Sequence, residues 1–163
     1  FCRLKYGERI PTLREALEAL LTDDTMKMVW LDPKTTSAIG PMVSLATEYK
    51  ARAVALGKSL EILIGIPDED YLNTYLATPG YENAPCLVEY DYSKVIPYNC
   101  RGYSPRFTLG PQRQYADILH ASGKIILYWT VNSKDYFDLF FNEGAADGMI
   151  SDRTSLIYTK FQQ

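Results

Sequence analysis

The chain has 163 residues, 47% apolar and 23% charged, the balance of an ordinary globular domain with a core of its own. A formal net charge of −3 without basic clusters argues against a nucleic-acid surface, and no apolar run reaches the roughly 20 residues of a membrane helix. No signal peptide and no initiator Met precede Phe1-Cys2-Arg3, so the expectation is a trimmed or truncated chain.

In chain order, Thr12-Leu13-Arg14-Glu15 fits a capping box, and Leu13, Leu17, Leu20 and Leu21 follow at helical spacing. Residues 27–31 form a short apolar run closed by Asp32-Pro33, which reads as a buried strand. A long helix over 38–56 stops at Gly57, and strand 61–66 closes at Pro67. Asp68 caps a helix of about ten residues. Strand 86–90 leads into an irregular stretch, 91–110, broken by Pro97, Gly102, Pro105 and Gly110. A connection of that length is often functional. Pro111 suits the first turn of a helix running to about 122, which Gly123 ends. Strand 124–130, helix 134–143 capped by Ser133, strand 147–150 and a short helix over 154–161 complete the chain.

Five strands alternating with helices predict an α/β fold with a parallel sheet and right-handed crossovers, in one domain. Periodicity leaves two closures open: a doubly wound open sheet, or an arc of a (β/α)8 barrel. A doubly wound phosphate binder is the weaker case, because the chain has no glycine-rich phosphate loop. Cys2, Cys86 and Cys100 have no metal-type spacing. Free thiols are the expectation, with a Cys86–Cys100 pair as the alternative.

Four stretches carry more specific wording. They are Glu8-Arg9-Ile10-Pro11-Thr12-Leu13-Arg14-Glu15-Ala16-Leu17, Leu31-Asp32-Pro33-Lys34, Gly123 through Asn132 with its Trp-Thr-Val-Asn end, and Asp147-Gly148-Met149-Ile150-Ser151-Asp152-Arg153. In this order they resemble the C-terminal portion of the glycerophosphodiester phosphodiesterase family, a group of TIM barrels. The resemblance implies that the chain is a partial barrel domain spanning 1–163, holding strands four to eight of eight, with about three strands missing before Phe1. The family's His-Arg-Gly, Glu-x-Asp and His-Asp motifs, which supply the acid–base histidines and most metal ligands, have no counterpart here. Its Glu-x-Lys is replaced by Asp32-Pro33-Lys34, and Thr154 stands where the family usually has Pro.

What the resemblance implies for function is metal-dependent hydrolysis of a glycerophosphodiester to glycerol 3-phosphate and an alcohol by the intact protein. Asp32 would bind a divalent ion, Mg2+ or Ca2+, Lys34 would offset phosphate charge, and Trp129 would line the substrate pocket. The spacing of Asp32 and Lys34 is consistent with this, since residues two apart on an extended segment share a side; a solvated ion pair is the plainer alternative. Arg106 is favoured over Lys58 and Arg101 as a further phosphate partner because of its place in the long loop. Either Glu89 or Asp91 could face the pocket. Asn132 and Asp152 are expected to hold turns, with Asp152 capping the last helix, and His120 to sit at a helix end. An alternative is a non-catalytic binding or structural remnant: an arc of barrel with two open edges should need a partner chain or the missing half of the barrel.

Overall fold

The computed structural model of the chain describes residues 7, 9–98 and 100–155. Cys2 and the expected last helix beyond Ser155 lie outside them.

The capping box forms as the sequence predicts. Thr12 accepts from the Glu15 N–H at 3.2 Å, and the Glu15 carboxylate accepts from the Thr12 N–H at 2.8 Å, opening α1 (Leu13–Leu21). Strand β1 (Met28–Leu31) follows, then α2 (Ile39–Ala55) and β2 (Glu61–Ile66). Asp68 opens α3 (Glu69–Leu76) by accepting from Asp70 and Tyr71 N–H groups at 3.0 and 3.1 Å. After β3 (Cys86–Val88) come β4 (Gly102–Tyr103), α4 (Arg113–Ala121), β5 (Ile125–Tyr128), α5 (Lys134–Asn142) and β6 (Gly148–Met149). Helix α4 begins two residues past Pro111: Gln112 is its N-cap, with non-helical φ and ψ of −109° and 46°, and the Gln112 N–H donates to the buried Tyr128 hydroxyl at 2.8 Å.

All six strands are parallel and pair in sequence order, from β1 at one edge to β6 at the other. They form a curled half-barrel with helices between them, a partial TIM-like α/β barrel. Among the described residues the strands therefore number six where five were expected. The extra strand is β4, inside the stretch expected to be irregular. Two residues are too few to show an apolar period, and one of them is Gly102. A side chain there would place its Cβ 2.2 Å from the Ile125 carbonyl oxygen, so only glycine lets β4 approach β5 this closely.

The expectation of free thiols at Cys86 and Cys100 is also overturned: the two are joined in a disulfide. Cys86 opens β3 and Cys100 stands just before β4, where the Arg101 N–H donates to the Cys86 carbonyl at 2.7 Å. Neighbouring parallel strands bring the two Cα atoms to 4.5 Å, within disulfide reach.

The strands bury alternate residues on two faces. Leu31, Ile62, Ile64, Ile66, Val88, Tyr103, Ile126 and Tyr128 join the helices in the main core. The other parity faces the inside of the curl, with Leu63 and Leu87 fully buried near its centre. Toward the edges a second hollow of about 490 Å3 is lined by Met28, Trp30, Ile125, Leu127 and Met149 among others.

Candidate active site

Following the inward parity past each strand's C-terminal end leads to one cavity. Its volume is about 620 Å3, and every strand contributes: Trp30, Asp32, Pro33 and Lys34 from β1, and Pro67 and Asp68 from β2. Glu89 follows β3, Arg106 follows β4, Trp129 and Thr130 follow β5, and Ile150 follows β6. The C-terminal rim is where barrels of this kind assemble their chemistry.

Asp32 and Lys34 share a side, as their spacing predicts, and form an ion pair with one another. The Asp32 carboxylate raises the affinity of the Lys34 ammonium for its proton, so the group stays charged at neutral pH. Both remain largely exposed at the cavity mouth.

The Trp129 indole is fixed from several sides. Its Nε1–H donates to the Ser104 carbonyl at 2.8 Å, its backbone N–H donates to the Pro105 carbonyl at 3.2 Å, and its carbonyl accepts from the Phe107 N–H at 2.8 Å. Trp30 meets it edge-on at 6.4 Å between ring centroids. The Arg106 guanidinium lies over the Trp129 ring, 4.8 Å from its centroid, a cation–π geometry.

Of Glu89 and Asp91, Glu89 enters the cavity; Asp91 instead caps a 3-10 turn by accepting from the Ser93 N–H at 2.9 Å. Burial pushes the Glu89 carboxyl up to about 7, and the negative charge of Asp32 adds to this. Its buried Oε1 and the buried Trp30 Nε1 have no hydrogen-bond partner among the described residues. Both crowd the face of Gly65, whose added Cβ would stand 2.4 Å from Trp30 Nε1 and 3.1 Å from Glu89 Oε1.

Lys58, Arg101 and His120 lie at the opposite end of the sheet. Lys58 pairs with Asp24 and donates to the Leu21 carbonyl. Arg101 bridges Glu61 and the Gly123 carbonyl at 3.1 Å each. His120 meets Asp147 at 2.8 Å, and the same carboxylate oxygen accepts from the Ile126 N–H, so this histidine ties α4 to the entrances of β5 and β6. Asn132 joins the ends of β5 and β6 through Ser151 and Asp152. The helix Asp152 was expected to cap runs outside the described residues.

Trp30 was not singled out from sequence. In an apolar strand it looks like any core aromatic, yet it stands two residues before Asp32 and so shares its face.

A divalent ion needs several converging oxygen donors. Among the described residues no group of three or more His, Cys, Asp or Glu side chains is placed to hold a metal ion. Asp32 is engaged by Lys34. These residues do not by themselves form a metal shell.

No helix among the described residues is long and apolar enough to cross a membrane. No family model matches the chain, and no curated protein does. The fold is similar to a solved glycerophosphodiester phosphodiesterase from Parabacteroides distasonis, with a TM-score of 0.68 at 16% identity, over 99% of this chain and 69% of that one. The likeness expected from the strand-end motifs is thus met at the level of fold: this chain has the architecture of that barrel.

Proposed function

We propose that this chain supplies the larger part of a glycerophosphodiester phosphodiesterase barrel. In the reaction, water adds to phosphorus and the bond from phosphorus to the alcohol oxygen breaks. The alcohol leaves with a proton, and glycerol 3-phosphate remains. The observation that carries the reading is the convergence of all six strand tips on one cavity holding two cations, Lys34 and Arg106, beside an indole wall. The solved neighbour, named for this activity, has the same fold.

In this reading Lys34 and Arg106 draw the diester phosphate, and a guanidinium offers it paired N–H donors. Trp129 covers the glycerol carbons. Asp32 contributes one oxygen toward Mg2+ or Ca2+. The remaining metal ligands and the acid–base histidines come from outside the described residues, since the His120 ring is engaged at the far end of the sheet.

The test is release of glycerol 3-phosphate from a panel of glycerophosphodiesters with Mg2+ or Ca2+. The 163-residue chain is assayed alone and together with a polypeptide carrying the His-Arg-Gly and His-Asp motifs. Turnover is expected only with both. Trp129→Ala in the active assembly should then lower kcat/KM by about 10–100-fold, the scale of a lost aromatic contact. Turnover by the chain alone, with contaminants excluded, would overturn the division of roles. Silence from the completed barrel would leave the non-catalytic remnant as the reading.

A further inference from the structure

Beside the main cavity runs a smaller groove of about 180 Å3, lined by Arg106, Phe107, Thr108, Trp129 and Thr130. Arg106, Trp129 and Thr130 line both hollows. We infer that this groove seats the alcohol half of the diester, and that Arg106 makes it select neutral or anionic polyol headgroups over quaternary ammonium ones. The inference rests on the phosphodiester reading above and names its substrate class.

A phosphate drawn to the Arg106 guanidinium sits at the border of the two hollows, so the two arms of a diester extend into one each. The larger cavity holds the carboxylates Asp32, Asp68 and Glu89. Among the described residues the groove holds none, and the one charge lining it there is the Arg106 cation.

Chemistry then separates the headgroups. A choline-type cation is ordinarily held by an aromatic face or a carboxylate. The candidate face here is Trp129, and Arg106 already lies over it at 4.8 Å. A second cation would meet the Arg106 charge with no carboxylate among the described lining residues to hold it. A polyol finds the opposite: guanidinium N–H donors and the Thr108 and Thr130 hydroxyls.

The groove walls are also held in place. Phe107 is tied to Trp129 through its backbone N–H and packs edge-on against Tyr136, 5.5 Å between centroids. Arg106 pairs with Trp129 as an isolated parallel bridge. Selection therefore falls to charge and hydrogen bonding in a fixed site.

Binding tests this apart from turnover. Glycerophosphoglycerol and glycerophosphocholine are titrated calorimetrically into the full chain with divalent ions chelated. Glycerophosphoglycerol should bind at least about tenfold tighter. Arg106→Gln should bring that ratio close to one, whereas Lys34→Gln should weaken both ligands alike and keep the ratio. Equal or tighter binding of glycerophosphocholine, or a ratio that survives Arg106→Gln, overturns the inference. If both diesters bind without discrimination, the diesterase reading stands and only the headgroup assignment falls. If neither binds, with or without the polypeptide that completes the barrel, both fall.

Discussion

Asn132 and Asp152 are bonded to each other twice: the Asn132 Nδ2–H donates to the Asp152 carboxylate at 2.9 Å, and the Asn132 Oδ1 accepts from the Asp152 backbone N–H at 3.0 Å. The same Oδ1 accepts from the Ser151 hydroxyl at 3.0 Å. One amide thereby fastens the end of β5 to the end of β6, the edge strand of the sheet. Asn132→Ala should cost about 1 kcal/mol in urea unfolding, a modest value because the site is partly solvated. Asn132→Asp sets a carboxylate against Asp152 and should cost more at pH 7. The gap between the two variants should shrink as the pH is lowered through the carboxylate range.

Gly65→Ala tests the closeness of β2 to the cavity floor. The new Cβ would lie 2.4 Å from Trp30 Nε1 and 3.2 Å from the Leu31 carbonyl. The indole must move, because the backbone carbonyl belongs to a paired strand. A loss of about 1–3 kcal/mol in stability is expected, the range for overpacking a filled site. Trp fluorescence should shift with it.

Glu89 gives a pH dependence of defined sign. Its carboxyl is raised from the ordinary value of 4.5 to about 7 in the folded chain, so the folded state binds the proton more tightly than the unfolded state. Its contribution to stability is therefore complete below about pH 4.5 and is lost as the pH rises toward 7. Solvent at the open side of the cavity tempers the size, and about 1–2 kcal/mol is expected. Glu89→Gln, which cannot ionise, should flatten the wild-type fall in stability between pH 5 and 8. A wild-type curve that rises over this interval, with the slope kept in the variant, would contradict the assignment.

The disulfide closes a loop of about 15 residues, for which chain-entropy arguments give about 3 kcal/mol. Replacing Cys86 and Cys100 together by Ala should lower the urea midpoint, and a thiol reductant should lower that of the wild type but not of the double variant.

These cases show where the amino-acid sequence is informative. The strands β1, β2, β3 and β5 are apolar runs framed by Pro, Gly or capping residues, and local pattern suffices to find them. Strand β4 is invisible to such a reading, because its two residues are held by their neighbours rather than by their own preferences. The Cys86–Cys100 bond shares that origin: it depends on β3 and β4 lying side by side, which no spacing records. Arg106 can be picked out by its place in the long connection and Asp32 and Lys34 by their spacing at a strand end together with the family resemblance, whereas Trp129 is marked by that resemblance alone. Trp30 and Glu89 cannot be assigned without knowing which parity turns inward. Once the sheet curls, the same two-residue period joins Trp30 to Asp32 and puts Glu89 inside.

The parallel sheet also divides the chain's tolerance to change. Since every strand runs the same way, each strand-to-helix turn opens onto the rim and each helix-to-strand turn lies at the far end. Gly57 and Gly123, which end α2 and α4, belong to the far set; both have positive φ, at +71° and +68°, and open space where a side chain would stand. New chain ends or an inserted tag beside either glycine would leave the groups lining the rim cavity undisturbed. An insertion of equal length between Tyr103 and Trp129 on the rim side would separate Arg106 from the indole it covers.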